Sequence, residues 1–282
     1  MKKFTLLFML MASASLMANI SAAEKIALVR LYKSTNGKNW TNKWDLKQPE
    51  TTWYGVKIQN DKVVSIDLSN NNLKGEIPSE IGNLTGLIRL NFFKNQLSGT
   101  VPAEIGKLKS LMFLNLAFNK FTGEIPATVG ELTSLKSMEL SMNSFSGQLP
   151  ASIGKCSRLQ TLAVYNNELA GQIPTEIYKL NSLKVLLLSS NKFTGKLSRE
   201  VANLTSLENL SLFENNLEGQ VPFALEKLGS LKEMNISYNK FNGPVSHQLA
   251  QLDVMHMKMI NEQGLAVNLP VEDKTSAVAE EE

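Results

Sequence analysis

The sequence predicts an α/β solenoid: a right-handed curved stack of coils with a parallel β-sheet on its concave side and 3₁₀ segments and turns on its convex side. Three observations carry this. From Val63 the chain can be cut every 24 residues, at Leu87, Leu111, Leu135, Leu159, Leu183, Leu207 and Leu231, so that eight units fit without an insertion. In every unit the first, fourth, sixth, eleventh, fifteenth, nineteenth and twenty-second places are apolar, 56 sites in all when Cys156 is counted. One unit of this size cannot bury such a face alone, whereas stacked neighbours make a continuous core. Third, asparagine always fills the ninth place and glycine the thirteenth, which gives the turns a fixed chemistry.

The elements follow in chain order. Met1-Lys2-Lys3, the apolar run from Phe4 to Met11 and the small residues ending in Ser21-Ala22-Ala23 read as a secretory signal peptide over residues 1–23, cut before Glu24. The apolar run falls short of the ~20 residues that span a bilayer, and no later run is long enough, so no membrane span is expected. Export places the protein in the periplasm, on the cell surface or outside the cell. The whole chain has a formal charge of +3 over 282 residues, and removing the two leading lysines leaves 27 basic against 26 acidic residues. So even a balance gives no basic patch, and nucleic acid is excluded as a partner.

Residues 24–62 form the N-terminal cap. Ala27, Leu28, Leu31 and Tyr32 make a helical stripe between Glu24 and Ser34, with Gly37 placed to end the helix. Trp40, Trp44 and Trp53 all lie in the next segment, where they plug the open end of the core, with a sugar-stacking platform as the alternative. Tyr54 to Ile58 and Val63 to Leu68 read as a hairpin across Asn60-Asp61. The eight units occupy 63–254. In them the asparagines Asn71, Asn95, Asn119, Asn143, Asn167, Asn191, Asn215 and Asn239 turn inward to satisfy backbone groups. The glycines of the thirteenth place, from Gly75 to Gly243, supply a positive φ or a close approach. Proline closes six units three residues later, and Ser198 and Ser246 replace it in the sixth and eighth, where slightly looser turns are expected. Residues 255–270 read as a closing strand with Met255, Met257 and Met259 inward. Residues 271–282, with five acids and one lysine, read as a disordered tail.

The unit L-x-x-L-x-L-x-x-N-x-L-x-G-x-I-P is the leucine-rich repeat pattern. Its second half, as in Asn71-Asn72-Leu73-Lys74-Gly75-Glu76-Ile77-Pro78, resembles the plant-type extracellular repeat of receptor ectodomains and polygalacturonase-inhibitor proteins. Trp53-Tyr54-Gly55-Val56 resembles the W-x-G-V motif of that family's N-terminal cap. The family's cap has cysteines beside this motif, whereas Thr51, Thr52 and Ile58 stand there in this chain, so the cysteine-free cap is more like the bacterial proteins with this repeat. The resemblance implies binding without catalysis, and it transfers no ligand.

Few residues offer reaction chemistry. One cysteine cannot form an internal disulfide, and with two histidines it is too little for a zinc cage. His247 and His256 stand nine residues apart with no nucleophile nearby, and no hydrolase, nucleotide-binding or phosphate-binding motif occurs. Cys156 takes a core place as a small, silent hydrophobe. Neither an enzyme, a metal nor a cofactor is expected. The sequons beginning at Asn39, Asn83, Asn203, Asn209 and Asn235 do not imply glycosylation if the source is bacterial.

What remains is a surface. The third, fifth, seventh and eighth places of each unit point out from the concave sheet, and they carry Phe93, Phe113, Phe118, Met142, Tyr165, Leu187, Phe213 and Tyr238, which the core does not require. Phe93, Phe113 and Phe118 are expected to group beside Met142, and Tyr165, Leu187 and Phe213 to form a second group. Arg89, Lys94, Glu139, Glu208, Glu214 and Glu233 supply polar contacts around them. The rings spread over seven units, which favours a protein or peptide ligand for a monomeric binding module. A glycan-binding protein using the same rings as stacking platforms, with a cell-surface polysaccharide as ligand, is the alternative.

Overall fold

The structure is a computed structural model that describes residues 20–255 and 257–272. The expected signal peptide falls outside these residues up to 19, as do His256 and the expected tail from 273 onward.

The repeats stack in sequence order. Nine strands form the concave sheet, an antiparallel pair at its N-terminal edge followed by parallel strands from Arg89–Asn91 to Glu233–Asn235. Residues of equal place face each other across neighbouring repeats, as in Leu90 opposite Leu114 and Leu114 opposite Met138. This strict register is what a fixed 24-residue period dictates, because a slip of one residue would turn the leucines outward. Of the core-facing places all are buried except Leu252, which packs partly buried against the last turn. Five-residue 3₁₀ segments such as Ala103–Lys107 and Ala127–Glu131 line the convex side in repeats one to seven.

A second parallel sheet was not legible in the sequence. Eight strands, from Lys74–Gly75 to Lys240–Asn242, run along the side where each coil leaves its asparagine and reaches its glycine. The short alternation around one apolar residue resembled a turn, and only stacking on the neighbouring coil supplies its hydrogen bonds. Every glycine of the thirteenth place has positive φ, from 71° at Gly99 to 127° at Gly75, as the column implied. The serines that replace proline cap the segments that follow them. Ser198 Oγ accepts from the Glu200 N–H at 3.1 Å, and Ser246 Oγ accepts from the Leu249 N–H at 3.3 Å and caps helix α2 (His247–Leu252), so a side-chain cap takes the place of proline's fixed φ.

The asparagine column is an internal ladder. Asn167 Oδ1 accepts from the Phe145 N–H at 2.9 Å, and its Nδ2 donates to Leu140 O at 3.1 Å and Val164 O at 3.0 Å. The pattern repeats from Asn119 to Asn239, so each amide ties its own coil to the preceding one. Asn71 extends the ladder into the cap by accepting from the Asn42 N–H at 2.6 Å.

The N-terminal cap begins earlier than its sequence suggests. Helix α1 spans Ala22–Ser34, and Ser21 and Glu24 form a reciprocal capping box at its start. Glu24 is buried, and its Oε1 accepts from the Val63 N–H at 3.0 Å, which fastens the helix to the first repeat. Asn36, not Gly37, takes the left-handed conformation after the helix, at φ 59°. Gly37 is needed for space, since a Cβ there would stand 2.2 Å from the Tyr32 ring. Trp40, Trp44 and Trp53 are 1%, 3% and 3% exposed, with ring centroids 4.9 and 4.8 Å apart in series. They plug the core, and rings so buried offer no platform for a sugar. The hairpin of Val56–Gln59 and Lys62–Asp67 turns through Asn60 and Asp61, both left-handed, as the sequence implied.

The C-terminal cap is α2 followed by a hairpin, where a single strand was expected. Lys258–Ile260 pairs antiparallel with Ala266–Asn268, and Met257 and Met259 are buried while Met255 is only half-buried. Asp253 fastens this end as Glu24 fastens the other. Its carboxylate accepts from the Ile236 N–H at 2.7 Å, the Ser237 hydroxyl at 3.0 Å and the Met255 and Met257 N–H groups at 2.9 and 3.1 Å. Cys156 is fully buried, and burial pushes its thiol up to about 11.

Candidate functional site

The concave face owes its shape to two adjacent columns. Residues at the third and fifth places stand on the sheet, pointing away from the core. Those at the eighth place, Asn70, Lys94, Phe118, Met142, Asn166, Ser190, Glu214 and Tyr238, all have left-handed backbone, with φ between 50° and 58°. That conformation swings the chain out of the strand and lifts the side chain onto the rim of the sheet. Asparagine tolerates it well, whereas Phe118, Met142 and Tyr238 are bulky residues that rarely adopt it.

The rings do not group quite as the sequence suggested. Phe93 and Phe118 meet edge to face with centroids 5.2 Å apart. Phe113 stands apart from that pair, under the Arg89 guanidinium, whose carbon lies 4.4 Å above the ring. Phe213 pairs with Tyr238 at 5.3 Å rather than with Tyr165 and Leu187. Phe118 and Met142 are 39% and 37% exposed, while Phe93, Phe113, Tyr165, Leu187, Phe213 and Tyr238 are half-buried. Met142 Sδ takes a contact from Asn166 Nδ2, one coil further on.

Polar groups bridge neighbouring coils. Asn91 Nδ2 donates to Asp67 Oδ1 at 3.0 Å, and Asn115 Nδ2 donates to Glu139 Oε2 at 2.9 Å. Ser190 Oγ donates to Glu214 Oε2 at 2.7 Å, and Asn209 Nδ2 donates to Glu233 Oε2 at 2.7 Å. Glu208 lies between Lys184 at 3.1 Å and Lys232 at 2.6 Å. Burial would raise the Asp67 pKa, but hydrogen bonds from Ser69 and Asn91 and the charge of Arg89 outweigh it and hold the carboxyl below its usual value. Among the described residues, no three or more His, Cys, Asp and Glu side chains come together as a metal site, and no helix is long and apolar enough to cross a membrane.

A groove of about 470 Å³ opens at the N-terminal end of this face, lined by Val56, Lys57, Val64, Ile88, Arg89 and Phe113 among others. Ile88, 37% exposed, is one of its walls and was missed. It occupies the second place of its repeat, where the sheet meets the preceding turn, and an apolar residue there could have signalled it.

With this geometry in hand, known proteins give the chain its class. The leucine-rich repeat region family matches residues 139–264, and the Leucine Rich Repeat family matches 62–84 and 110–132. A probable leucine-rich repeat receptor-like protein kinase of Arabidopsis thaliana is 37% identical over 76 residues, 22% of this chain and 8% of the kinase. Among solved structures, the PEPR1–AtPEP1 complex matches with a TM-score of 0.76 at 28% identity, over 85% of this chain and 34% of that one. The plant peptide hormone receptor RGFR1 in complex with RGF2 matches with a TM-score of 0.65 at 32% identity, over 73% of this chain and 32% of that one. The chain thus spans about a third of the receptor chains it resembles. It folds as a leucine-rich repeat solenoid, and its repeats are of the plant extracellular-receptor type.

Proposed function

We propose that this protein is an exported binding module that recognises a protein or peptide through its concave face and performs no catalysis. The observation that carries this reading is the row of apolar side chains on the left-handed column, where Phe118, Met142 and Tyr238 occupy a conformation the fold would fill more cheaply with asparagine. Phe93 and Phe118 at one end and Phe213 and Tyr238 at the other would be the anchors, with Phe113, Tyr165 and Leu187 between them and Arg89, Lys94, Glu139 and Glu214 as polar contacts. The similar structure described as a plant peptide hormone receptor in complex with RGF2 supports the same class of ligand. The spread of the rings over seven repeats favours a peptide over the glycan alternative, whose rings, amides and acids would gather in one small area.

Export rests on the N-terminal sequence. The Ser21–Glu24 capping box and the buried Ile20 belong to the folded cap, which a cut before Glu24 would shorten. The protein would then act as a monomer in the periplasm, on the surface or outside the cell, with a cap closed by three packed tryptophans.

Selection of a displayed peptide library on the immobilised protein, beside a glycan array, tests the reading. Enriched peptides whose binding is lost in Phe118→Ala with Phe213→Ala support it. Glycan binding with the same loss would favour the alternative, and peptide binding indifferent to both substitutions would move the site to the convex turns.

A further inference from the structure

The concave face has an electrical direction. At its third, fifth, seventh and eighth places only six residues are charged: Asp67, then Arg89 and Lys94 in the second repeat, then Glu139, Glu214 and Glu233. Lys57 adds a cation at the groove beside Arg89. No ion pair within 4.0 Å among the described residues includes Arg89, Lys94, Glu214 or Glu233. Arg89 lies over Phe113 instead, and its charge acts on the Asp67 carboxyl. Glu214 and Glu233 accept from a serine and an asparagine, which are neutral donors that orient the carboxylates without cancelling them. In the neighbouring row Lys184 and Lys232 are both held by Glu208, leaving one net positive charge at that rim against two carboxylates on the face.

An aromatic pair stands at each pole. The Phe93–Phe118 pair adjoins the cations, and the Phe213–Tyr238 pair adjoins Glu214 and Glu233. Arg89 and Glu233 lie six strands apart, roughly 29 Å before curvature at ~4.8 Å per strand, which an extended chain covers in about nine residues. Apolar anchors fix where a ligand sits, whereas complementary charge at two separated poles fixes which way it lies.

We infer that the concave face takes an extended peptide in a single orientation, with its acidic end over Arg89 and Lys94 and its basic end over Glu214 and Glu233. The inference rests on the concave-face reading and adds ligand polarity to it. The carboxylate at the first pole can come from acidic side chains or from a free C-terminus.

The test uses a synthetic peptide of about ten residues, blocked at both ends, with aspartates at one end, lysines at the other and a phenylalanine inside each. A peptide of the same composition with alternating charges serves as comparison. A third, with a free terminal carboxylate in place of the aspartates, separates the two sources of negative charge. The polar peptide should bind at least about tenfold tighter than the alternating one. A photo-crosslinker beside its acidic end should label the second repeat, and one beside its basic end the seventh and eighth. Arg89→Glu with Lys94→Glu should erase the preference, and adding Glu214→Lys with Glu233→Lys should restore it with the crosslinks exchanged. Equal affinities, no binding by the polar peptide, or crosslinks scattered over both poles would overturn the inference. If both peptides bind equally and both are lost in Phe118→Ala with Phe213→Ala, the polarity fails while the concave site stands. Peptide binding untouched by those ring substitutions would remove the concave site itself.

Discussion

Places eight and nine of each repeat are neighbours in the chain, yet they obey different rules. Both lie where the strand ends and the coil turns. Place nine is asparagine in all eight repeats, because its amide faces inward and is the partner of backbone groups from two coils. Place eight is left-handed in all eight repeats, yet only Asn70 and Asn166 are asparagines there. Its side chain faces out, so the fold dictates its backbone and leaves its chemistry free. The difference teaches that a constraint on conformation does not fix a residue, whereas a constraint on hydrogen bonding does. The residues that depart from the comfortable choice at place eight are the ones that call for another explanation.

The largest effect should separate core from face within one turn. Phe121→Ala opens a cavity in the buried eleventh column and should cost ~3–5 kcal/mol in urea unfolding. Phe118→Ala, three residues earlier, should shift stability by less than about 1 kcal/mol while weakening a verified ligand by about 2 kcal/mol or more. Equal losses of stability from both would place Phe118 in the core.

Next come Asn166 and Asn167. Asn167→Ala leaves the Phe145 N–H and two buried carbonyls without their amide partner and should cost about 3 kcal/mol. Asn166→Ala loses asparagine's tolerance of the left-handed backbone and an exposed contact with Met142 Sδ, and should cost about 1 kcal/mol. A reversal of that order in paired denaturation curves would mean that the ladder is not what holds the coils together.

Cys156, at the end of the 3₁₀ segment Ala151–Lys155 of the same stack, reports on the opening of these coils. Its thiol is buried and its pKa raised by burial to about 11, so at neutral pH it is protonated and covered. A thiol reagent should label the native protein only at the rate of local opening, and faster in Asn167→Ala than in Asn166→Ala.

Much of the fold was legible because one period governs it. Leu87, Leu111 and Leu135 can be named as core from spacing alone, and so can Cys156, since a small thiol fits a place that leucine otherwise fills. What the period could not give was structure that depends on a neighbour. The second sheet needs the next coil to supply its hydrogen bonds, and the bond from Val63 to Glu24 that fastens α1 to the first repeat spans 39 residues, whereas the Ser21–Glu24 capping box is local and was hidden by the signal-peptide reading. In the candidate site, the outward places name residues on the exposed side of the sheet, of which Arg89 and Phe113 line the groove. They did not predict that Phe113 would lie under Arg89 instead of beside Phe118, because that choice is made by side-chain packing across strands. The left-handed column had a partial signature in Asn70 and Asn166, but the six other residues there concealed it.

The smallest effect isolates the cost of place eight. Met142 has φ 57° and 37% exposure, and it belongs to none of the ring pairs. Replacing it with glycine or asparagine relieves the backbone at the price of little packing, so each should raise stability by ~0.5–1 kcal/mol. Phe118→Asn relieves the same strain but gives up the edge contact with Phe93, itself worth ~0.5–1.5 kcal/mol, so its net change should be close to zero. The three variants together separate backbone from side chain. If glycine and asparagine both stabilise at 142 while ligand affinity falls, Met142 is kept for the ligand at a cost to the fold. Loss of stability in Met142→Gly would show that this side chain supports the coil, and the eighth place would then not be free.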